Sequence, residues 1–258
     1  MKFSFIIILF IFSFESSAEG LFGLGAGKVP TYRGSDNRDF IPIGVFQLDS
    51  QYHVFEVEGP EIFYNFKILK NIGFGILTSF EFGRDAINDE SVTDPSETEQ
   101  GFSMDIGPVA QIILPSLELS DEDSFNLRVS IQKNNKVDND NNTYRLKLSY
   151  FLKLLFLLRT EIEMEYRYSE SGYLNYFYGN SYQKSLKNGL REFMTNGSSS
   201  ESLSISQNLI LSFSENYGVF FRWQVDKFSS TPKKSPYVAD LGSGKSSFYG
   251  ISLFYRWD

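Results

Sequence analysis

The chain contains no cysteine and one histidine, His53, in 258 residues. Disulfides, thiolate metal sites and cysteine nucleophiles are therefore excluded, and there is no histidine pair to hold zinc. No apolar run approaches the ~20 residues of a spanning helix, and mean hydropathy is -0.22, so a helical membrane protein is excluded. The formal charge of -8 argues against nucleic acid as a partner. What the chain has in excess is aromatic side chains, with 26 Phe and 15 Tyr.

The first residues read as an address. Lys2 is followed by an apolar stretch from Phe3 to Phe14 and by the small residues Ser16, Ser17 and Ala18, which predicts a signal peptide over 1–18, cleaved after Ala18. The exported part is then 19–258, of a size that suits one domain.

That part repeats the period of a strand. Leu158, Thr160, Ile162, Met164 and Tyr166 alternate with Arg159, Glu161, Glu163, Glu165 and Arg167, a segregation no helix achieves. The same alternation recurs near residues 21–28, 41–48, 52–58, 61–69, 72–84, 101–113, 123–132, 143–151, 156–167, 201–213, 217–228 and 245–257. Several of these segments reach the ~9 to 11 residues with which a tilted strand crosses a bilayer. The expectation is an all-β fold: a single antiparallel transmembrane β-barrel of twelve strands, or ten if the short segments 21–28 and 52–58 do not count.

The connections test this independently, because outer-membrane barrels have short periplasmic turns and long outer loops. From a periplasmic N-terminus, the odd connections span 29–40, 59–60, 85–100, 133–142, 168–200 and 229–244; the even ones span 49–51, 70–71, 114–122, 152–155 and 214–216. Only Gly59-Pro60 and the 114–122 turn, with Pro115, Glu118, Asp121 and Glu122, break the alternation of long and short. A soluble sandwich or lipocalin-like barrel also alternates. Here, however, the polar parity carries glycines and serines that suit a narrow lumen. Tyr144, Tyr150, Tyr166, Tyr168, Tyr217, Trp223, Tyr255 and Trp257 mark strand ends where interfacial girdles lie.

Three stretches carry a family resemblance. Gly23 to Gly27 with Pro30, Thr31, Tyr32, Arg33, Gly34, Ser35, Asp36 and then Pro42 forms the first. Phe82-Gly83-Arg84-Asp85 is the second; Tyr176, Phe177, Tyr178 and Gly179 with Gln183, Ser185, Gly189 and Leu190 is the third, with Asn188 where a small serine is common. In this order they resemble the MltA-interacting protein (MipA/OmpV) family. The resemblance implies an outer-membrane barrel without a cofactor, surrounded by outer-membrane lipid. In part of that family it implies a scaffold between a murein lytic transglycosylase and a peptidoglycan synthase; other members resemble surface antigens or adhesins.

The chemistry on offer is sparse. His53 is the only histidine an outer-membrane lipase or protease could use, and it lies beside a predicted periplasmic turn, so no enzyme activity is expected. The loop 85–100 holds Asp85, Asp89, Glu90, Asp94, Glu97 and Glu99 without a basic residue. It lacks a fixed calcium-ligand pattern and reads as a solvated, mobile loop. Glu161, Glu163 and Glu165, flanked by Arg159 and Arg167, form a lumen ladder that needs counter-charge. Pairing through a 152–155 turn brings Arg145 and Lys147 near Glu161 and Glu163. That network is either a plug or a selectivity lining. The aromatic loop 169–200 is either a constriction folded into the barrel mouth or a surface-recognition element.

Overall fold

The computed structural model describes residues 19–114, 117, 119 and 123–257. The predicted signal peptide 1–18, Asp258, and Pro115, Glu118, Asp121 and Glu122 of the 114–122 turn lie outside the described residues. Twelve antiparallel strands close into one barrel. In chain order they are β1 (Glu19–Pro30), β2 (Arg38–Asp49), β3 (His53–Glu58), β4 (Glu61–Leu69), β5 (Ile72–Glu81), β6 (Ser103–Leu114), β7 (Ser124–Asn134), β8 (Asn142–Leu155), β9 (Leu158–Ser169), β10 (Ser199–Ser212), β11 (Tyr217–Phe228) and β12 (Lys245–Trp257). Each pairs with its neighbours in sequence, and β1 closes the wall on β12 from Gly20↔Trp257 to Lys28↔Tyr249. Closure removes the free edge strands of an open sheet, leaving unpaired on one side only the part of β2 above the short β3 and the end of β5 across from it. No described helix is long and apolar enough to cross a membrane.

The parity of each strand decides what it shows to lipid. Phe22, Leu24, Phe74, Ile76, Ile162, Met164, Ile251 and Leu253 are exposed on the outer wall. In an outer membrane they contact acyl chains, where apolar side chains belong. Tyr217, Tyr255 and Trp257 form a run of rings near the short-turn end, with Tyr217 and Tyr255 centroids 5.1 Å apart. Tyr144 and Tyr168, 6.2 Å apart, sit at the opposite end.

Five longer connections, 31–37, 82–102, 135–141, 170–198 and 229–244, emerge at one end. Short turns and the 115–123 connection occupy the other, which is periplasmic by the usual asymmetry. The tight Gly59-Pro60 turn is the exception at the outer end. Gly59 has φ +55°, the left-handed region that the first central position of such a hairpin requires. It makes β3 only six residues long, so the barrel wall is low at that point.

Two of the shifted boundaries bear on the site. β5 stops at Glu81 rather than at residue 84, because Gly83 takes φ +84° and turns Arg84 inward to pair with Gln100. The β8–β9 turn sits at Phe156-Leu157 rather than 152–155, since Leu152 to Leu155 continue the strand through a bulge between Lys153 and Leu155. This sets Arg145 opposite Arg167 and Lys147 opposite Glu165. Arg145 therefore meets Arg167 rather than Glu161 or Glu163, where the expected turn placed it.

Candidate functional site

The lumen is polar and crossed by ion pairs. Arg145 on β8 donates to Glu165 of the adjacent β9 at 2.6 Å and to Glu61 of β4 across the barrel at 2.6 Å. It also donates to Ser79 and Gln132. Lys147 pairs with Glu163 at 2.6 Å, and Arg222 of β11 joins Glu163 at 2.9 Å to Glu58 of β3 on the far wall. Toward the periplasm Arg128 spans to Glu56 at 2.9 Å, its guanidinium 3.9 Å from the Phe63 ring centroid. β3 and β4 neighbour none of β7, β8 and β11, so the Arg145–Glu61, Arg222–Glu58 and Arg128–Glu56 pairs run through the lumen rather than along its wall. Between Arg128, Arg145 and Lys147 on one side and Glu56, Glu58 and Glu61 on the other, a space of about 30 Å³ remains, room for a water or so.

Of the ladder expected from sequence, Glu163 and Glu165 lie inside this network, and Arg167 pairs with Glu165 at 3.1 Å. Glu161 instead accepts from Asn208 at 3.0 Å, opposite Phe151. Arg159 stands opposite Lys153 near the periplasmic end. Sequence reasoning missed Glu56, Glu58, Glu61, Arg128 and Arg222. All follow the inward parity of their strands, so the rule applied to β9 would have found them.

Above this tier the outer connections fold into a cap. The 170–198 connection forms two helices, α1 (Ser171–Tyr178) and α2 (Tyr182–Asn188). The 229–244 connection adds α3 (Pro236–Ala239). Tyr173, Leu174, Phe177 and Tyr178 of α1 are buried with Phe228 and Val238. Tyr32, Val92, Leu190 and Tyr237 form a second cluster. The aromatic loop is thus folded into the mouth, with most of its rings turned away from solvent. Two hydroxyls reach the wall: Tyr173 donates to Asp105 at 2.8 Å and Tyr178 to Glu201 at 2.9 Å. Burial pushes both hydroxyls well above the ordinary tyrosine range, so they remain donors.

Residues of the family stretches, far apart in sequence, meet in this cap. Pro30 ends β1, and the Tyr32 hydroxyl donates to the Leu241 carbonyl at 3.1 Å. Arg33 pairs with both Glu81 on β5 and Glu201 on β10, spanning the mouth, and its guanidinium lies 4.6 Å from the Phe177 ring centroid. Gly34 takes φ +89°, Ser35 is buried and accepts the Asn37 amide, and Asp36 is exposed. Arg84, 5% exposed, stacks 3.7 Å from the Tyr237 centroid and donates to the Thr98 and Phe177 carbonyls. Tyr176 packs edge-on against Phe177. In α2 Gln183 faces solvent, the Ser185 hydroxyl donates to the Leu190 carbonyl at 2.7 Å, and Gly189 closes the helix at φ +76°. The buried Asn188 amide donates to Asn180 Oδ1 at 2.9 Å and accepts the Leu190 N–H at 3.0 Å.

The acidic connection 85–100 is more ordered than its composition suggests. Val92 and Thr98 are buried in the cap, and the Thr93 amide donates to the Asn188 carbonyl at 2.9 Å. Asp85, Asp89, Glu90 and Glu99 point to solvent. Hydrogen bonds from the Ser91 hydroxyl and amide hold Asp89 below the usual carboxylate range. Among the described residues no three acidic or histidine side chains converge as a metal site would require. The exposed His53 imidazole bonds the Tyr64 hydroxyl at 2.9 Å and packs beside Phe66.

A family model described as MltA-interacting protein MipA matches residues 22–257. No curated protein matches the chain. Among solved structures, the barrel is similar to the NanC porin, at 9% identity over 92% of this chain and 100% of that one, with a TM-score of 0.47. It is also similar to an outer-membrane channel from Pseudomonas putida F1, at 8% identity over 95% and 97% of the two chains, TM-score 0.46. A third likeness is to the translocator domain of the autotransporter NalP from Neisseria meningitidis, at 10% identity over 95% and 90%, TM-score 0.43.

Proposed function

The chain belongs to the MltA-interacting protein family of outer-membrane barrels, and from that premise we propose that it is a closed platform holding a murein lytic transglycosylase, and through it a peptidoglycan synthase, at the outer membrane. It is neither an enzyme nor an open pore on this reading. The obstructed lumen supports it, because the ion pairs that cross the barrel leave little room for solute. So does His53, whose ring is engaged by Tyr64 and Phe66 at the rim.

The observation that carries the reading lies on the periplasmic rim. The β8–β9 hairpin ends in Leu155, Phe156 and Leu157, and Phe156 is 86% exposed. Leu117 and Leu119 are exposed on the preceding connection of the same rim. A turn tip normally carries Gly, Asn or Asp. Bare apolar side chains there suit a surface that another protein covers, which supports the platform reading.

Aromatic anchors of this kind carry a disproportionate share of binding energy. Replacing Phe156 with Asn and Leu155 with Ser is expected to weaken binding of a purified murein lytic transglycosylase to the refolded barrel by about tenfold or more. Surface plasmon resonance on barrels in nanodiscs measures it. The turn leaves the lumen and girdles untouched, so heat-modifiability on gels should stay native. Unchanged affinity would remove this rim from the platform reading. A second variant, with residues 115–122 replaced by a two-residue turn, asks the same of the adjacent connection.

A further inference from the structure

Between the cap and the crossed ion pairs lies a cavity of about 320 Å³, within the range of sites that hold small molecules. One side is charged. The other is apolar, lined by Ile41, Ile43, Val45 and Phe248; Gly27 of β1 leaves the space that Ile43 and Phe248 fill, since a side chain there would collide with Ile43 Cδ1 at 2.2 Å. The cavity is therefore amphipathic.

Its wall is also open on one flank. β2 pairs with β3 only from Val45 to Asp49, so Arg38 to Ile43 have no strand partner on that side. Across the gap the partnered part of β5 ends where the Phe80 amide donates to the Pro60 carbonyl. The gap above Gly59-Pro60 is lined by Ile41, Pro60 and Phe82, all of which border the cavity. Outward on its two jambs stand Phe40, 77% exposed, and Phe82, 70% exposed. Those side chains continue the lipid-facing parity, so the gap faces the outer leaflet rather than water.

Inside, three residues that line this cavity each carry a buried polar atom with no hydrogen-bond partner in the structure: Arg145 Nε, Arg167 Nε and Ser252 Oγ. Only one other described side-chain atom in the molecule, Asn65 Oδ1, is in that condition. Buried polar groups are nearly always satisfied, and Arg145 is 6% exposed. The six glutamates bordering the cavity each accept a salt bridge. The unspent capacity is thus mainly N–H and O–H donors, which suit an anionic oxygen head. Asp226, bonded by Gln224, is the bordering carboxylate without an ion pair among the described residues, and it is where a cationic head would go.

We infer that the cavity binds a single-chain amphiphile with a carboxylate head, a fatty acid, entering from the outer leaflet through the gap above Gly59-Pro60. The chain lies against Ile41, Ile43 and Phe248, and the head meets Arg167. This is independent of the platform reading, which concerns the other rim.

The test is native mass spectrometry of the delipidated, refolded barrel titrated with dodecanoate, with dodecyltrimethylammonium and lauroyl lysophosphatidylglycerol beside it. One dodecanoate per barrel is expected, in preference to either other amphiphile. Arg167→Gln should weaken it about tenfold or more, the loss of one charge-assisted contact. Ile41→Trp, which fills the gap without touching the head contacts, should do the same. Heat-modifiability certifies that both variants fold. Tighter binding of the trimethylammonium compound would place the head at Asp226 and overturn the assignment; tighter binding of the lysolipid would transfer it to a phosphate head. Dodecanoate binding indifferent to both substitutions, or no binding at all, would leave only adsorption to the outer belt or a water-filled cavity.

Discussion

The refolded barrel will carry no single-channel current in a planar bilayer, and deleting the cap alone will leave it silent. Shortening 170–198 to a flexible linker removes the α1 rings and the Tyr178 hydrogen bond to Glu201, but the pairs Arg222–Glu58, Arg145–Glu61 and Arg128–Glu56 still cross below. The two obstructions lie in series. Conductance steps should appear only when the cap deletion is combined with Arg222→Ser and Glu58→Ser, which clears one crossing as a matched pair and leaves no charge uncompensated. A twelve-stranded barrel lies between the eight strands that side chains fill and the sixteen that leave an aqueous channel, so lumen contents decide the outcome. Steps from the native chain would overturn the closed-platform reading; a silent combined variant would show that the Arg128 and Arg145 crossings suffice to seal the lumen.

The strands were legible because a period of two is local. Leu158 to Arg167 declares its two faces within ten residues, and every expected strand segment overlaps an observed one. The β8–β9 register was harder, since Leu152, Leu154, Leu155, Phe156 and Leu157 are all apolar and nothing in their pattern marks the turn; only the position of Phe156-Leu157 fixes that Arg145 meets Arg167 rather than Glu161. The cap lay further from reach. Arg33, Arg84, Phe177 and Glu201 are spread over more than half the chain, and no periodicity reports that they meet. The aromatic content of 169–200 signalled a functional or buried loop, but the choice between the two needed Tyr173 and Tyr178 to be seen inside. In the acidic stretch 85–100, charge masked Val92 and Thr98, which decide where that chain packs.

Replacing Arg145 with Met should destabilise the barrel by about 3–5 kcal/mol, the usual cost of removing one partner from a buried ion pair. The substitution keeps length and apolar stem, so little volume is lost. What is lost is the shared counter-ion of Glu61 and Glu165 and the donor to Ser79 and Gln132. Arg167 still pairs with Glu165 at 3.1 Å, but Glu61 has no other ion pair among the described residues. Its carboxylate would remain inside the wall without compensation. Adding Glu61→Met should therefore recover part of the loss, because two apolar groups in place of a pair cost less than one stranded charge. Urea unfolding in phospholipid bilayers, followed by tryptophan fluorescence, gives both values. A loss below about 1 kcal/mol for the single variant would assign Arg145 the weight of a surface pair, and would mean that water, not Arg145, sustains Glu61.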